Sequence, residues 1–523
     1  MRGEGLATQP FLTDFPQVAY GRECEELDFK SQIQLFSLAP RPSPLAPMLS
    51  LLPTLEPQYV CPGESHAISR AVHLSRLAAF YPKCRECTHR QETGQLPQPQ
   101  FAEEKSARPH MSERSLFTLE GVRGVYLNEL TRHKAGELAA AFASLLWELL
   151  PLTGRNDLRD ASSKRPIRRS GPVVLVGFDE RPSSPDIVTG VAAALRRMSC
   201  QVVDISQTSV PCFRFAVAHL QAAGGVMISG HGCEPSWTGL DFVGKQGRPI
   251  SAAGRRSTSS EAGHVFIEPR SNGNVEIVPH GDGRATHTIS LEDIHDRCGQ
   301  GAARPLRQGG TQRVFPASVP YLAGLWQHFH ALRPLRVAIA CPVRFVRETL
   351  DSLFAKLPVT LDWVEIPKRL RDLANADDSD VGRVRDAVLA RSADFGFLID
   401  DDGANVAVLD EVGDLLAPDD LLGLLAEVLG AEQPGGALVI DNAARERLQP
   451  RIAARNRRCW LGGWTQSDLW QAMRSDAATC GGGATGRVWM RESVPTTDAI
   501  LTLGQLLRCL SRDDSPLSDC WQK

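Results

Sequence analysis

The sequence has no apolar run of the roughly 18 residues that a membrane-spanning helix requires; its longest apolar stretch is interrupted by Glu148, within Leu145 to Leu150. It has no excess of either charge. Lys plus Arg number 58 and Asp plus Glu 61, a formal net charge of −3, so no chain-wide basic field is present to grip phosphate backbones, and general nucleic-acid binding is disfavoured. The opening stretch MRGEGLATQPFLTDF lacks the apolar segment of a signal peptide, and a soluble, cytoplasmic protein is expected. An even, evenly spaced cysteine set is also missing. The 13 cysteines are scattered from Cys24 to Cys520, which does not match a secreted disulfide scaffold, so reduced thiols are expected. No repeat shorter than a domain is visible.

What is present is a chain of 523 residues, enough for three or four domains of roughly 100 to 200 residues each. Hydrophobic residues at 42% and charged residues at 23% predict a folded chain. Residues 1–60 form a Pro-rich arm, since Leu38 to Pro47 carries prolines that remove backbone donors. Residues 61–114 read as a small Cys/His module and linker. There Ile68, Val72, Leu74, Leu77 and Phe80 predict an amphipathic helix between two Cys/His clusters. Cys84 and Cys87, with two residues between them, place two thiolates on one turn, and Cys61 with His66 completes a tetrahedral zinc set, with His73 and His89 as alternates. An iron–sulfur cluster would need distant Cys24 as its fourth cysteine, and buried unrelated thiols are the plain alternative.

From residue 115 the pattern becomes α/β. Thr131 caps a predicted helix with Leu138, Phe142, Leu145, Leu146 and Leu149 on one face, and a basic loop with Lys164, Arg165, Arg168 and Arg169 follows. Val173 to Val176 reads as a buried strand, and Ser184 as the N-cap of the next helix, with Pro185 at its first position. Further strands at 202–205 and 226–228 flank a helix at 213–222, the rhythm of βαβ units. Residues 244–315 show little periodicity and read as an elaborated loop region. A second unit has strands at 337–340 and 395–399 and helices at 343–355 and 418–429; a third opens at 438–440 and closes with a helix after Asp498.

Four collinear stretches resemble the α-D-phosphohexomutases, the phosphoglucomutase and phosphomannomutase family. Phe117 to Gly124 resembles F-G-T-D-G-I-R-G, and Gly177 to Ser184 resembles G-x-D-x-R-x-S-S. Gly224 to Ser229 resembles the strand before the phosphoserine loop, and Phe397 to Asp410 resembles the metal loop F-D-G-D-x-D-R. The resemblance implies three consecutive α/β/α domains, over 115–330, 331–432 and 433–523, the last with a C-terminal tail. It implies phosphoryl transfer through a phosphoserine with magnesium neutralising the transferring oxygens.

The same resemblance implies that the chemistry is altered. The loop T-A-S-H-N-P falls on Ser229 to Glu234, which puts His231 at the phosphoserine position, and N-G-x-K falls on Thr238 to Asp241, which puts an aspartate at the acid/base lysine. Arg123 and Arg181 keep phosphate-binding positions. Asp400 and Asp402 remain of three magnesium aspartates, with Ala404 in place of the third and Asn405 in place of the arginine; a magnesium remnant and a solvated acidic turn are equal readings. The sugar motif G-E-x-S-G-H falls on Gly482 to Arg487, where Thr485 keeps only a hydroxyl. A fourth, phosphate-binding domain would follow Leu510, and only 13 residues do.

Three functional expectations result. The first is a divergent family member that binds a phosphosugar on a degenerate catalytic site. The second is an active intramolecular phosphotransferase with His231 as the phosphoryl carrier, or His231 with Cys233 as a metal ligand. The third is a non-catalytic scaffold whose zinc module meets a protein partner of unknown identity.

Overall fold

The computed structural model describes residues 59–60, 66–78, 84, 87–90, 116–150, 171–252, 264–269, 275–280, 288–432, 436–441, 444, 447–448, 459–461, 463, 465–474, 478–512 and 514–522. The expected arm up to residue 58, Cys24, Cys61 and the basic loop at 151–170 lie outside these residues. Two short strands, β1 (Tyr59–Val60) and β2 (Ala67–Ile68), pair antiparallel and lead into α1 (Arg70–Ala78). The helix buries His73, which stacks on Tyr59 with ring centroids 4.1 Å apart, whereas Val72, expected inward, is exposed. Among the described residues no group of three or more His, Cys, Asp or Glu side chains is placed to hold a metal ion. The metal-centred module expected from Cys61, His66, Cys84 and Cys87 therefore finds no support there.

The first α/β domain contains β3 (Val122–Val125), α2 (Arg132–Leu149), β4 (Val173–Phe178), α3 (Ser184–Arg197), β5 (Gln201–Gln207), α4 (Val210–His219), β6 (Gly224–Ile228) and β7 (Trp237–Gly244). The side chain of Thr131 accepts from the Lys134 N–H, satisfying a donor that the first turn leaves open, and this fixes where α2 begins. Leu138, Phe142 and Leu146 are buried, while Leu149 is exposed, so the apolar stripe ends a turn earlier than expected. Ser183, not Ser184, is the N-cap of α3; Ser184 is fully buried and donates to Asp179 Oδ1 at 2.5 Å. The region read as a loop is structured in part. It holds β8 (His264–Pro269), β9 (Val275–His280), α5 (Leu291–Gln300), whose Ser290 and Asp293 form a capping box, and β10 (Gln312–Val314). The first sheet has the order β10-β5-β4-β6-β7-β3, parallel from β10 to β6 and antiparallel thereafter.

The second domain follows α6 (Ser318–Leu325) and contains β11 (Leu335–Ala340), α7 (Arg344–Phe354), β12 (Val359–Val364), α8 (Ser379–Arg391), β13 (Phe395–Ile399), β14 (Val406–Leu409) and α9 (Pro418–Glu432), with sheet order β12-β11-β13-β14. The third contains β15 (Ala437–Ile440), β16 (Cys459–Leu461), α10 (Gln466–Met473), β17 (Ala478–Gly482), β18 (Val488–Arg491), β19 (Pro495–Thr497), α11 (Ala499–Leu510) and α12 (Leu517–Gln522). Its sheet runs β19-β18-β17-β15-β16-β8-β9, because β16 pairs antiparallel with β8 and so recruits the hairpin inserted in the first domain. One apolar core is continuous across all three domains, from Leu175, Val203 and Phe213 through Val337 and Phe395 to Leu438 and Leu506. This continuity holds the loops at the carboxyl ends of β6 and β13 against each other and against the turn between β17 and β18.

Candidate functional site

The loop between β6 and β7 carries Ser229, Gly230, His231 and Gly232. Gly230 is required by a close approach: a Cβ there would lie 2.6 Å from Arg181 Nε and 2.8 Å from the Trp237 carbonyl oxygen. Arg181 is fixed over this loop by donating from Nη1 to the carbonyls of Glu234 (2.7 Å) and Trp237 (3.2 Å) and from Nη2 to that of Cys233 (3.0 Å). The Gly230 N–H donates to Asp179 Oδ2 at 3.0 Å. Gly232 has φ +68°, a left-handed turn that glycine adopts without cost.

His231 faces Arg123 and Asp241. Arg123 Nη1 pairs with Asp241 Oδ1 at 2.7 Å, and both side chains are about nine-tenths buried. Arg123 Nη2 lies 3.2 Å from His231 Nε2, and His231 Nδ1 lies 3.3 Å from Asp241 Oδ2 and 2.9 Å from Ser229 Oγ. A guanidinium only donates, so we assign Nε2 as the acceptor and place the ring proton on Nδ1, toward Asp241 and Ser229. Burial, with Arg123 and Arg487 nearby, lowers the imidazole pKa to about 4 against the pull of Asp241 and Asp402. The ring is neutral at physiological pH, yet its free lone pair is occupied by Arg123. A nucleophilic nitrogen needs that lone pair open. Asp241 went unnoticed as a functional residue in sequence except as a missing lysine; with it, the histidine and the reversed charge form one compensated set.

The structure brings Asp400, Asp401 and Asp402 to the same cleft but turns each carboxylate to its own partner. Asp400 Oδ1 accepts from Arg371 Nη1 at 2.9 Å. Asp401 reaches the first domain: Oδ2 accepts from Arg181 Nη2 at 3.2 Å and Oδ1 from the Gly232 N–H at 3.3 Å. Asp402 Oδ1 accepts from the N–H groups of Ala404 (2.8 Å) and Asn405 (2.9 Å), and Oδ2 accepts from Arg487. Burial would raise the Asp402 pKa, but Arg487, His231 and those two N–H groups hold it at about 2. Magnesium requires carboxylate oxygens converging at about 2.1 Å on one point. These diverge onto guanidinium and amide donors, and the set does not fit the ion. Neither Arg371 nor Arg487 stood out in the sequence as a partner. The only signal was that Arg487 replaces the final histidine of the sugar motif.

The turn between β17 and β18 brings the remaining expected position. Thr485 is exposed, and Gly483 is packed against Asp441, whose Oδ2 lies 1.8 Å from where a Cβ would stand. Asp441 instead satisfies the Ala444 N–H (2.7 Å) and the Ala484 N–H (3.2 Å), so its carboxylate holds the turn and fills the space of the expected glutamate. Glu120, half-buried between domains, accepts from Ser251 Oγ (2.6 Å) and the Gln466 N–H (2.9 Å). Burial raises its pKa. Cys233 lies beside this cluster, and burial raises its thiol pKa as well. The arrangement orients charges and seals them; among its described groups the ionised side chains face one another.

Residues 160–259 match the model of the phosphoglucomutase/phosphomannomutase alpha/beta/alpha domain I. The chain is 23% identical over 402 residues to a phosphomannomutase/phosphoglucomutase of Pseudomonas aeruginosa, covering 76% of this chain and 74% of that one. It is 27% identical over 433 residues to a phosphoglucosamine mutase of Parafrankia sp., covering 77% and 81%. In fold it is similar to a phosphoglucomutase/phosphomannomutase family protein of Burkholderia thailandensis, with a TM-score of 0.58, 20% identity and coverage of 78% and 80%. The matched first domain and the relatives at 23–27% identity make this chain similar to the phosphohexomutases, whose fold it shares.

Proposed function

We propose that this is a cytoplasmic phosphohexomutase-family protein of carbohydrate metabolism that binds a phosphosugar weakly and does not turn it over. The observation that carries the reading is the Arg123–Asp241 ion pair at 2.7 Å with His231 against it. A mutase needs a phosphoryl acceptor, a base and an arginine open to phosphate. Here the base position is an aspartate that binds the arginine, and the acceptor position is a histidine whose lone pair that arginine takes. A phosphate entering the cleft must draw Arg123 and Arg181 from internal carboxylates, which costs part of each charge-assisted bond and makes binding weak.

The test is a coupled assay with glucose 1-phosphate and mannose 1-phosphate, each with a hexose 1,6-bisphosphate activator, alongside thermal shift with the same ligands. Absence of turnover in wild type and in His231→Ser, with a small ligand-dependent rise in melting temperature, is the expected result. Catalytic groups that act as a unit are strongly non-additive, so restoring one hydroxyl is not enough. Sustained turnover by the wild type would sink this reading and make His231 a phosphoryl carrier.

A further inference from the structure

We infer that the Asp400–Asp402 loop is a cation-independent clasp, in which three arginines supply the positive charge and lock the three α/β domains together. Each carboxylate is neutralised from a different direction. Arg371, in the second domain, reaches Asp400, and its own side chain is fully buried and anchored by Asp380 at 3.2 Å and the Pro367 carbonyl at 2.5 Å. Arg181, from the first domain, reaches Asp401. Arg487, from the third, reaches Asp402, which is 2% exposed.

Backbone contacts run the same way. The Gly232 N–H of the first domain donates to Asp401; the Val406 N–H donates to the Gly486 carbonyl at 3.2 Å; and the Ala499 N–H donates to the Gly403 carbonyl at 3.1 Å. Gly403, at φ +72°, makes the turn that brings its backbone against Ser209 and Pro211 of the first domain. A divalent ion would have to displace guanidinium groups that are themselves buried and bonded, leaving those charges unpaired in a low-dielectric site. That exchange is strongly unfavourable. The clasp rests on these contacts alone and holds with or without phosphosugar in the cleft.

The test uses the full chain and Mn²⁺ as the probe, followed by the loss of its free-ion EPR signal. Wild type leaves Mn²⁺ unbound at millimolar concentration, and its melting temperature is the same in EDTA and in excess Mg²⁺. Asp401→Asn and Arg181→Met each lower the melting temperature by about 2–4 °C, and the double variant by less than the sum of the two, as expected for two residues that share one contact and keep others of their own. The double variant Arg371→Gln, Arg487→Gln, with two carboxylates released, gains Mn²⁺ binding. Near-stoichiometric Mn²⁺ binding by wild type that disappears in Asp402→Asn would overturn the inference, as would full additivity of the Arg181 and Asp401 changes. Because the wild-type measurements need no variant to fold, the inference stays testable if a substitution prevents folding. Turnover is not a readout here, so failure of the clasp and failure of the non-catalytic reading are separate results.

Discussion

At the scale of single residues, the decisive change is Asp241. Its carboxylate and the Arg123 guanidinium are both about nine-tenths buried, so neither charge has water to fall back on. Burial opposes the charge on Arg123, and Asp241 restores it, leaving the guanidinium pKa raised overall. A buried pair adds little against an apolar replacement, but removing one partner strands the other. Asp241→Ala is therefore expected to destabilise the protein by about 3–5 kcal/mol, read as a fall in the urea midpoint at unchanged slope. Asp241→Lys, the residue type of the motif that this loop resembles, should be worse, since it sets a second cation beside Arg123. A change within about 0.5 kcal/mol for the alanine variant would mean that Arg123 finds solvent, and the compensated-set account of the loop would fail.

At the scale of elements, local signals were readable and distant pairings were not. Thr131 and Asp498 announce the starts of α2 and α11 because a capping side chain bonds the helix it precedes, two or three residues away. The β8–β9 hairpin escaped notice because its place is set by Cys459 and Trp460 of β16, nearly two hundred residues on, while Pro269 and Pro279 interrupt its strand signal. Helix α8 and strand β12 were missed as well; the helix is polar on much of its surface and is pinned through Asp380 to Arg369 and Arg371.

The Asp498 cap also carries a pH prediction. Oδ1 accepts from the Ile500 N–H at 2.8 Å and Oδ2 from the Tyr321 hydroxyl at 2.5 Å, and burial pushes the carboxyl from 3.8 up to about 6 despite those donors. The folded state thus holds the proton more tightly than the unfolded chain. The contribution is full below pH 3.8 and is lost as pH rises through about 6, on the order of 3 kcal/mol. His231, lowered from 6.5 to about 4, acts oppositely, its contribution being lost as pH falls through about 4. The informative quantity is therefore the difference between wild type and Asp498→Asn, which keeps an oxygen for Ile500. Relative to wild type, the variant should gain stability as pH rises from 4 to 6.5. A pH-independent difference would show that the carboxyl does not titrate in that window.

At the scale of the whole molecule, the succession of α/β units was legible because each repeats its own strand and helix rhythm. How they are joined was not, since the joints are single polar residues from one unit capping or pairing with another. Glu180 is the clearest case. Helix α7 has no side-chain cap from its own Val343, and Glu180 of the first domain supplies one, accepting from the Phe345 N–H at 2.9 Å while also pairing with Lys368. Arg248 similarly donates to Ser467 Oγ at 2.7 Å, and Arg214 to Gln466 Oε1 at 2.6 Å, both from the first domain to the third. With the apolar core also continuous from Leu175 to Leu506, opening one domain exposes surface on the next. Unfolding of these domains should therefore appear as one calorimetric transition whose van't Hoff and calorimetric enthalpies agree. Glu180→Ala removes the borrowed cap and the ion pair together. A missing cap alone costs about 1 kcal/mol, so the second domain should melt earlier and split the transition, while Val343→Asp, which offers α7 a cap from its own chain segment, should restore part of the loss in the Glu180→Ala background. Two well-separated transitions already present in wild type would show that the continuous core does not couple the domains, and Glu180 would then be a surface contact without consequence for the fold.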